Sequence, residues 1–203
     1  MQTAILVAAC LASTVQTTEM ALTIDGAEVG RVWITEKLTG AGGKVGQFKM
    51  QLIKGPQSVT IIEEAEYDKD GRPVRKTFSQ GGAGSRVATF SGGVVTVVME
   101  AEGQTETKAI PIPTSADVRA KSEFWFLRDK PMPGAKSVYH RFDVKELAWV
   151  KTQVTYVGPG TLKIRGRAVK AHLTKSGPGK AWVDDHGRPL RIEAGKLVML
   201  KDG

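Results

Sequence analysis

A single cysteine in 203 residues, Cys10, leaves the body of the chain without a disulfide, a thiolate nucleophile or a cysteine metal ligand. Beyond residue 12 no apolar run approaches the length of a membrane span, so no segment there reads as a transmembrane helix. Blocks of five or six like charges are also missing. The 29 Lys and Arg exceed the 21 Asp and Glu for a net charge of +8, yet they fall one or two at a time, which argues against a nucleic-acid-binding tail. An excess of that size still draws a protein toward anionic polymers or membrane surfaces.

Signatures of chemistry are equally scarce. Gly43-Lys44 follows a glycine-rich run, but Leu38 and Val45 stand where a phosphate loop needs Gly and Ser or Thr. Glu66, Asp68, Asp70 and Gly71 imitate the start of a calcium loop whose twelfth position is Thr77 instead of a bidentate Glu. His140, His172 and His186 fall on separate elements without the spacing of a helical zinc pair. His140 and Asp143 offer a base with an orienting acid, the basis of a third-ranked hydrolase reading, but no nucleophile motif accompanies them. The sequence therefore predicts a non-enzymatic protein with no cofactor, no metal and no catalytic residue.

Turns and alternation are what the sequence has in quantity. Hydrophobic residues make up 41% and charged residues 25%, the balance of a globular chain, and the length suits one domain. Strands are expected at 20–24, 28–37, 47–53, 58–67, 74–78, 86–90, 94–100 and 105–112, and again at 138–144, 148–157, 161–165 and 168–174, before a closing hairpin over 180–200. Asp25-Gly26, Ser91-Gly92-Gly93 and Glu102-Gly103 are hairpin turns by composition. One short helix is expected after Pro113, with Thr114 and Asp117 as a capping box and Ala120, Phe124 and Leu127 at helical spacing. Short strands divided by Gly and Asp turns predict an all-β fold: a large, curled antiparallel meander sheet or half-barrel.

The closing hairpin repeats an earlier phrase. Asp68-Lys69-Asp70-Gly71-Arg72-Pro73-Val74-Arg75 matches Asp184-Asp185-His186-Gly187-Arg188-Pro189-Leu190-Arg191, a D-x-x-G-R-P-[VL]-R cassette used twice. A repeated turn solution within one sheet is the expected role, since Asp and Gly sit where a turn needs them.

Residues 1–19 read as a signal-peptide-like leader and 20–203 as a single antiparallel β domain. Ala4 to Ala12 has the length of a signal h-region and small residues follow it. Val7-Ala8-Ala9-Cys10 also has the form of a lipobox, which would anchor the chain by lipid on Cys10. A buried first strand is the third reading of this run. An extracytoplasmic location, periplasmic or secreted, is the expectation.

Two binding surfaces follow from residue chemistry. Trp33, Phe48, Met50, Trp125, Trp149 and Trp182 are the candidates to line an apolar concavity that takes a lipid or a lipoprotein. In the segment 161–174, Leu162, Ile164, Val169, Ala171 and Leu173 share one face, while Lys163, Arg165, Lys170 and His172 form a basic stripe on the other. That stripe is the alternative site, for an anionic envelope polymer or a membrane surface.

With the strand pair Ile24-Asp25-Gly26-Ala27-Glu28-Val29-Gly30 and the phrase Trp182-Val183-Asp184-Asp185-His186-Gly187-Arg188-Pro189-Leu190-Arg191-Ile192, the chain resembles bacterial envelope β-proteins of unknown function that are similar to the half-barrel lipoprotein carriers of the Lol pathway. The resemblance covers roughly residues 20–201. It implies an apolar concavity that holds acyl chains and is closed by helices, and it assigns no functional residue.

Overall fold

Asp25 and Gly26 both take positive φ, 50° and 83°, the backbone of a type I′ turn, and so do Arg165 and Gly166 at 48° and 80°. Such turns match the twist of the strands they join and fold each segment back on its predecessor. In the computed structural model, residues 15–114, 118 and 125–202 are described; the first fourteen residues of the leader, with Cys10, and the first part of the expected helix lie outside them. The strands are β1 (Val15–Ile24), β2 (Ala27–Leu38), β3 (Lys44–Lys54), β4 (Gln57–Tyr67), β5 (Pro73–Gln80), β6 (Ser85–Ser91), β7 (Val94–Ala101) and β8 (Gln104–Pro111). A short helix α1 (Trp125–Asp129) precedes β9 (Lys136–Asp143), β10 (Ala148–Ile164), β11 (Arg167–Ser176), β12 (Gly179–Val183), β13 (Pro189–Ala194) and β14 (Leu197–Lys201). β1 begins at Val15 and so runs through the boundary drawn between residues 19 and 20.

The fourteen strands form one antiparallel sheet in the order β8-β7-β6-β5-β4-β3-β2-β1-β14-β13-β12-β11-β10-β9. Every neighbour is a neighbour in sequence except β1 and β14, which join the two halves of the chain at the middle of the sheet through Met20 to Ile24 against Leu197 to Lys201. A sheet of this width has to curl. The curl brings the far ends together: Phe142, Val144 and Trp149 from the β9–β10 end pack with Phe78, Ala88, Val95 and Val97 from β5 to β7. Side chains, not a strand ladder, fasten this seam. The Trp149 indole donates to the Pro111 carbonyl at 3.0 Å, Lys76 Nζ donates to the Phe142 carbonyl at 3.3 Å, and Arg86 donates to the Lys145 carbonyl. Phe90, Phe142 and Trp149 meet edge to face within 6.1 Å, a favourable aromatic geometry. A second cluster, Met20, Leu22 and Val32 with Phe48, Met50 and Met199, fills the middle of the sheet. Each of its three buried side chains stabilises the fold by roughly 1.5–3 kcal/mol.

The segment expected as two strands, 148–157 and 161–165, is one strand of 17 residues. Gly158-Pro159-Gly160 reads as a break, but the ladder with β11 continues through it after a bulge between Tyr156 and Gly158. That bulge swings the outer part of the β10–β11 hairpin over the face of β12 to β14. There Ile164 and Ala171 are buried with Leu190, beside Trp182 and Leu200, and Arg165 at the tip pairs with Asp202 at 3.2 Å.

The two cassettes have the same hydrogen bonding. Asp68 Oδ1 accepts from the amides of Asp70 and Arg72 at 2.9 and 2.8 Å, and Asp184 Oδ1 accepts from those of His186 and Arg188 at 2.9 and 3.0 Å. Each is followed by a bulge that sets Pro73 opposite Tyr67 and Pro189 opposite Val183. Asp184 has a further partner in Arg188 Nε at 2.6 Å. Burial opposes its charge, but the two amides and the guanidinium outweigh burial and hold its carboxyl below the usual carboxylate range. Its stabilising contribution is therefore complete above the unfolded carboxylate pKa and is lost as pH falls through the lowered one. Asp184→Ala should cost about 1–2 kcal/mol in urea denaturation at neutral pH, and the difference from the parent protein should shrink in acid.

Candidate functional site

Ladder register decides which side chains share the concave face. Ile34 pairs with Phe48, Phe48 with Glu63 and Glu63 with Phe78, so these four look to the same side. Across the middle, Ala181 pairs with Thr174 and Ile192, and Ile192 pairs with Met199, which continues that face. A cavity of about 530 Å3 lies over it, lined chiefly by Ile34, Phe48, Tyr139, Val154, Ala181 and Ile192. Beside it a smaller cavity of about 270 Å3 is bordered by Glu63, Lys76, His140, Arg141 and Trp149. Ile34, Phe48 and Tyr139 belong to both walls, so the two adjoin: the larger is mostly apolar, with Glu36, Lys180 and Glu193 also in its wall, and the smaller carries Glu63, Lys76 and Arg141.

The β9–β10 ladder serves both regions with opposite faces. Phe142 pairs with Trp149 and faces the seam cluster, whereas Tyr139 pairs with Thr152 on the other side and, with Val154, walls the apolar cavity. α1 closes a further side. Phe126 is 2% exposed and stacks on Tyr156 at 5.2 Å and 10°, against Val183, itself part of the apolar wall. The aromatic run Phe124-Trp125-Phe126 contributes its described part as a plug: Phe126 is buried and Leu127, one of the three residues at helical spacing, packs beside it, while Ala120 and Phe124 lie outside the described residues.

The six candidates for the apolar concavity divide accordingly. Phe48 lines both cavities and Trp149 the smaller one. Met50 shares the face of Phe48 but packs into the middle cluster. Trp125 lies against Phe126, its indole nitrogen buried without a hydrogen-bond partner among the described residues. Trp33 and Trp182 point the other way. Trp33 pairs with Lys49 on the opposite face, with the ammonium 5.1 Å from its ring, and Trp182 packs with Leu200 and under Arg191, 5.6 Å from its ring. Apolar residues occur on both faces here because the β10–β11 hairpin covers part of the convex side. Tyr139, Val154, Ala181 and Ile192 complete the cavity wall; their alternation marks a buried face but not its neighbours.

The basic stripe divides too. Leu162, Ile164, Val169 and Ala171 are on the covered face, as their alternation predicts, and Lys163 and Lys170 are exposed. Arg165 sits in the turn, not on a strand face, and is engaged by Asp202. His172 is bound inward: Nδ1 meets the Tyr156 hydroxyl at 3.0 Å and Nε2 meets Asp185 Oδ1 at 2.8 Å. Burial pushes the Tyr156 hydroxyl up.

His140 and Asp143 do not pair. Register sets them on opposite faces of β9, and Asp143 Oδ1 accepts from the amides of Lys145 and Glu146 at 3.1 and 3.0 Å in its own turn. The buried His140 Nδ1 has no partner among the described residues. Glu63 is open to solvent on one side and enclosed on the other. That partial burial, then the charge of Asp143, raises its carboxyl pKa against the pull of Arg141, Lys76 and Lys145. With a folded pKa above the unfolded one, Glu63 favours folding less as pH rises through the raised value. Glu63→Gln should therefore melt higher than the parent protein at neutral pH and level with it well below the carboxylate range.

No protein-family model matches the chain, and no curated protein matches it. Among solved structures, the chain is similar to a beta-barrel-like protein of the domain of unknown function DUF1849 from Brucella abortus, with 14% identity, a TM-score of 0.49, and coverage of 92% of this chain and 94% of that one.

Proposed function

We propose that the chain is an exported, non-enzymatic envelope protein that holds an apolar, lipid-like ligand on the concave side of its sheet. The carrying observation is the cavity of about 530 Å3 with its mainly aliphatic and aromatic wall, a volume within the range of small-molecule sites. The charged edge at Glu63, Lys76 and Arg141 gives such a ligand a place for a polar end. Holding acyl chains is also what the resemblance to the Lol-pathway carriers implies, with a lipid or a lipoprotein as the partner. A hydrolase built on His140 and Asp143 has no support in the geometry, since the two groups face apart.

Mass spectrometry of solvent extracts from protein purified natively from its own envelope tests the proposal. A lipid recovered at close to one per chain is expected; protein that comes empty and takes up no added lipid would refute it.

A further inference from the structure

We propose that the outer part of the β10–β11 hairpin docks on an anionic membrane surface, with Met132 entering the headgroup layer. Between Gly158 and Ser176 the chain carries Lys163, Arg165, Arg167, Lys170 and Lys175 and no carboxylate. All five are exposed. Arg165 shares Asp202 with Arg31; the other four form no ion pair with a described residue. The adjacent hairpin behaves differently, for Lys180 and Arg191 pair with Glu193 and Arg188 pairs with Asp184. The arm thus carries four unneutralised cations and no carboxylate; Lys163 and Lys170 project from the face opposite the buried Ile164 and Ala171, whose burial holds the arm in place, and Arg167 and Lys175 lie near the two ends of the covered face.

The apolar component stands at the foot of the same arm. Met132 is 80% exposed, more than any other large apolar residue described, and lies between Pro131 and Pro133. Its loop is clamped to β10: the Gly134 amide donates to the Tyr156 carbonyl at 2.7 Å, and the Tyr156 amide donates to the Ala135 carbonyl at 2.9 Å. Pro133 rests against Gly158, and Lys130 precedes the loop. A protruding apolar side chain at the base of a cationic arm is what an interfacial anchor needs, because the cations attract anionic headgroups and the side chain gains by leaving water, and the one carboxylate that borders the loop's hollow, Asp185, is held by His172. A soluble polyanion would use the cations alone.

Co-sedimentation of the full chain with vesicles tests this. Binding is expected to vesicles containing phosphatidylglycerol, not to phosphatidylcholine alone, and to weaken as salt rises. Lys163→Glu with Lys170→Glu should weaken it at least tenfold, given about fivefold per cation removed. Met132→Ser should weaken vesicle binding several-fold and leave binding to soluble polyglutamate unchanged. All three positions are exposed, so folding should persist, with an unchanged melting temperature as the check. Absence of vesicle binding, indifference to the charge reversal, or vesicle binding that ignores Met132→Ser would each overturn the proposal, the last pointing to a polyanion contact.

Discussion

Gly30→Ala is expected to lower folding stability by about 3 kcal/mol or more, read as a fall in the urea midpoint. Gly30 follows the bulge at which β2 shifts register against β1, so Leu22 pairs with Gly30 and Thr23 with Glu28. A Cβ there would stand 1.9 Å from the Gln51 carbonyl oxygen and 3.0 Å from its carbon. Both are backbone atoms of β3, and no rotamer change moves them. Relief requires prising β2 from β3, the ladder that carries Val32, Ile34, Phe48 and Met50. The middle cluster and the cavity floor would loosen together. Gly46→Ala is the control: it lies in the same ladder opposite Glu36, nothing stands within 4 Å of its Cβ, and its midpoint should hold or rise slightly. An equal loss at both sites would show that the close approach at Gly30 is not what matters.

Ala181→Trp is expected to abolish capture of an apolar ligand, reducing affinity about a hundredfold or more, because it removes the space itself instead of one contact. Ala181 is half-buried between Thr174 and Ile192 in the wall of the larger cavity, and an indole there would extend into open volume. Stability should change by no more than about 1–3 kcal/mol, the usual range for a small-to-large change. Titration of parent and variant with an uncharged fluorescent probe, each with its melting curve, separates the outcomes. A folded variant that still binds would place the ligand elsewhere.

Much of the fold is legible in the residues because hairpin turns are local chemistry. Asp25-Gly26 and Glu102-Gly103 announce their backbone conformation, and the repeated cassette announces two equal turns. What is not legible depends on distant partners. Gly158-Pro159-Gly160 has the composition of a break, and only the register with β11 carries the strand across it. Nothing in β1 or β14 says that they pair, although that pairing makes one sheet of the two halves. The site suffers more from the same blindness. Alternation sorts Trp33 from Phe48 onto opposite faces but does not say which face closes over a hollow. Trp182 is apolar on a convex side that the bent β10–β11 hairpin covers, a tertiary cause without a local signature. Tyr156, His172 and Asp185 come from three different segments, so their hydrogen-bonded chain leaves no spacing to read.

The central claim, that the concave side is an open apolar site and not a packed interior, is tested most directly by titrating the protein with an uncharged long-chain fluorescent probe at low and at physiological salt. The account predicts saturable binding of one probe per chain, with nearly the same affinity at both salt concentrations, since apolar burial is little affected by screening. Absence of saturable binding, or an affinity that collapses as salt is raised, would contradict it.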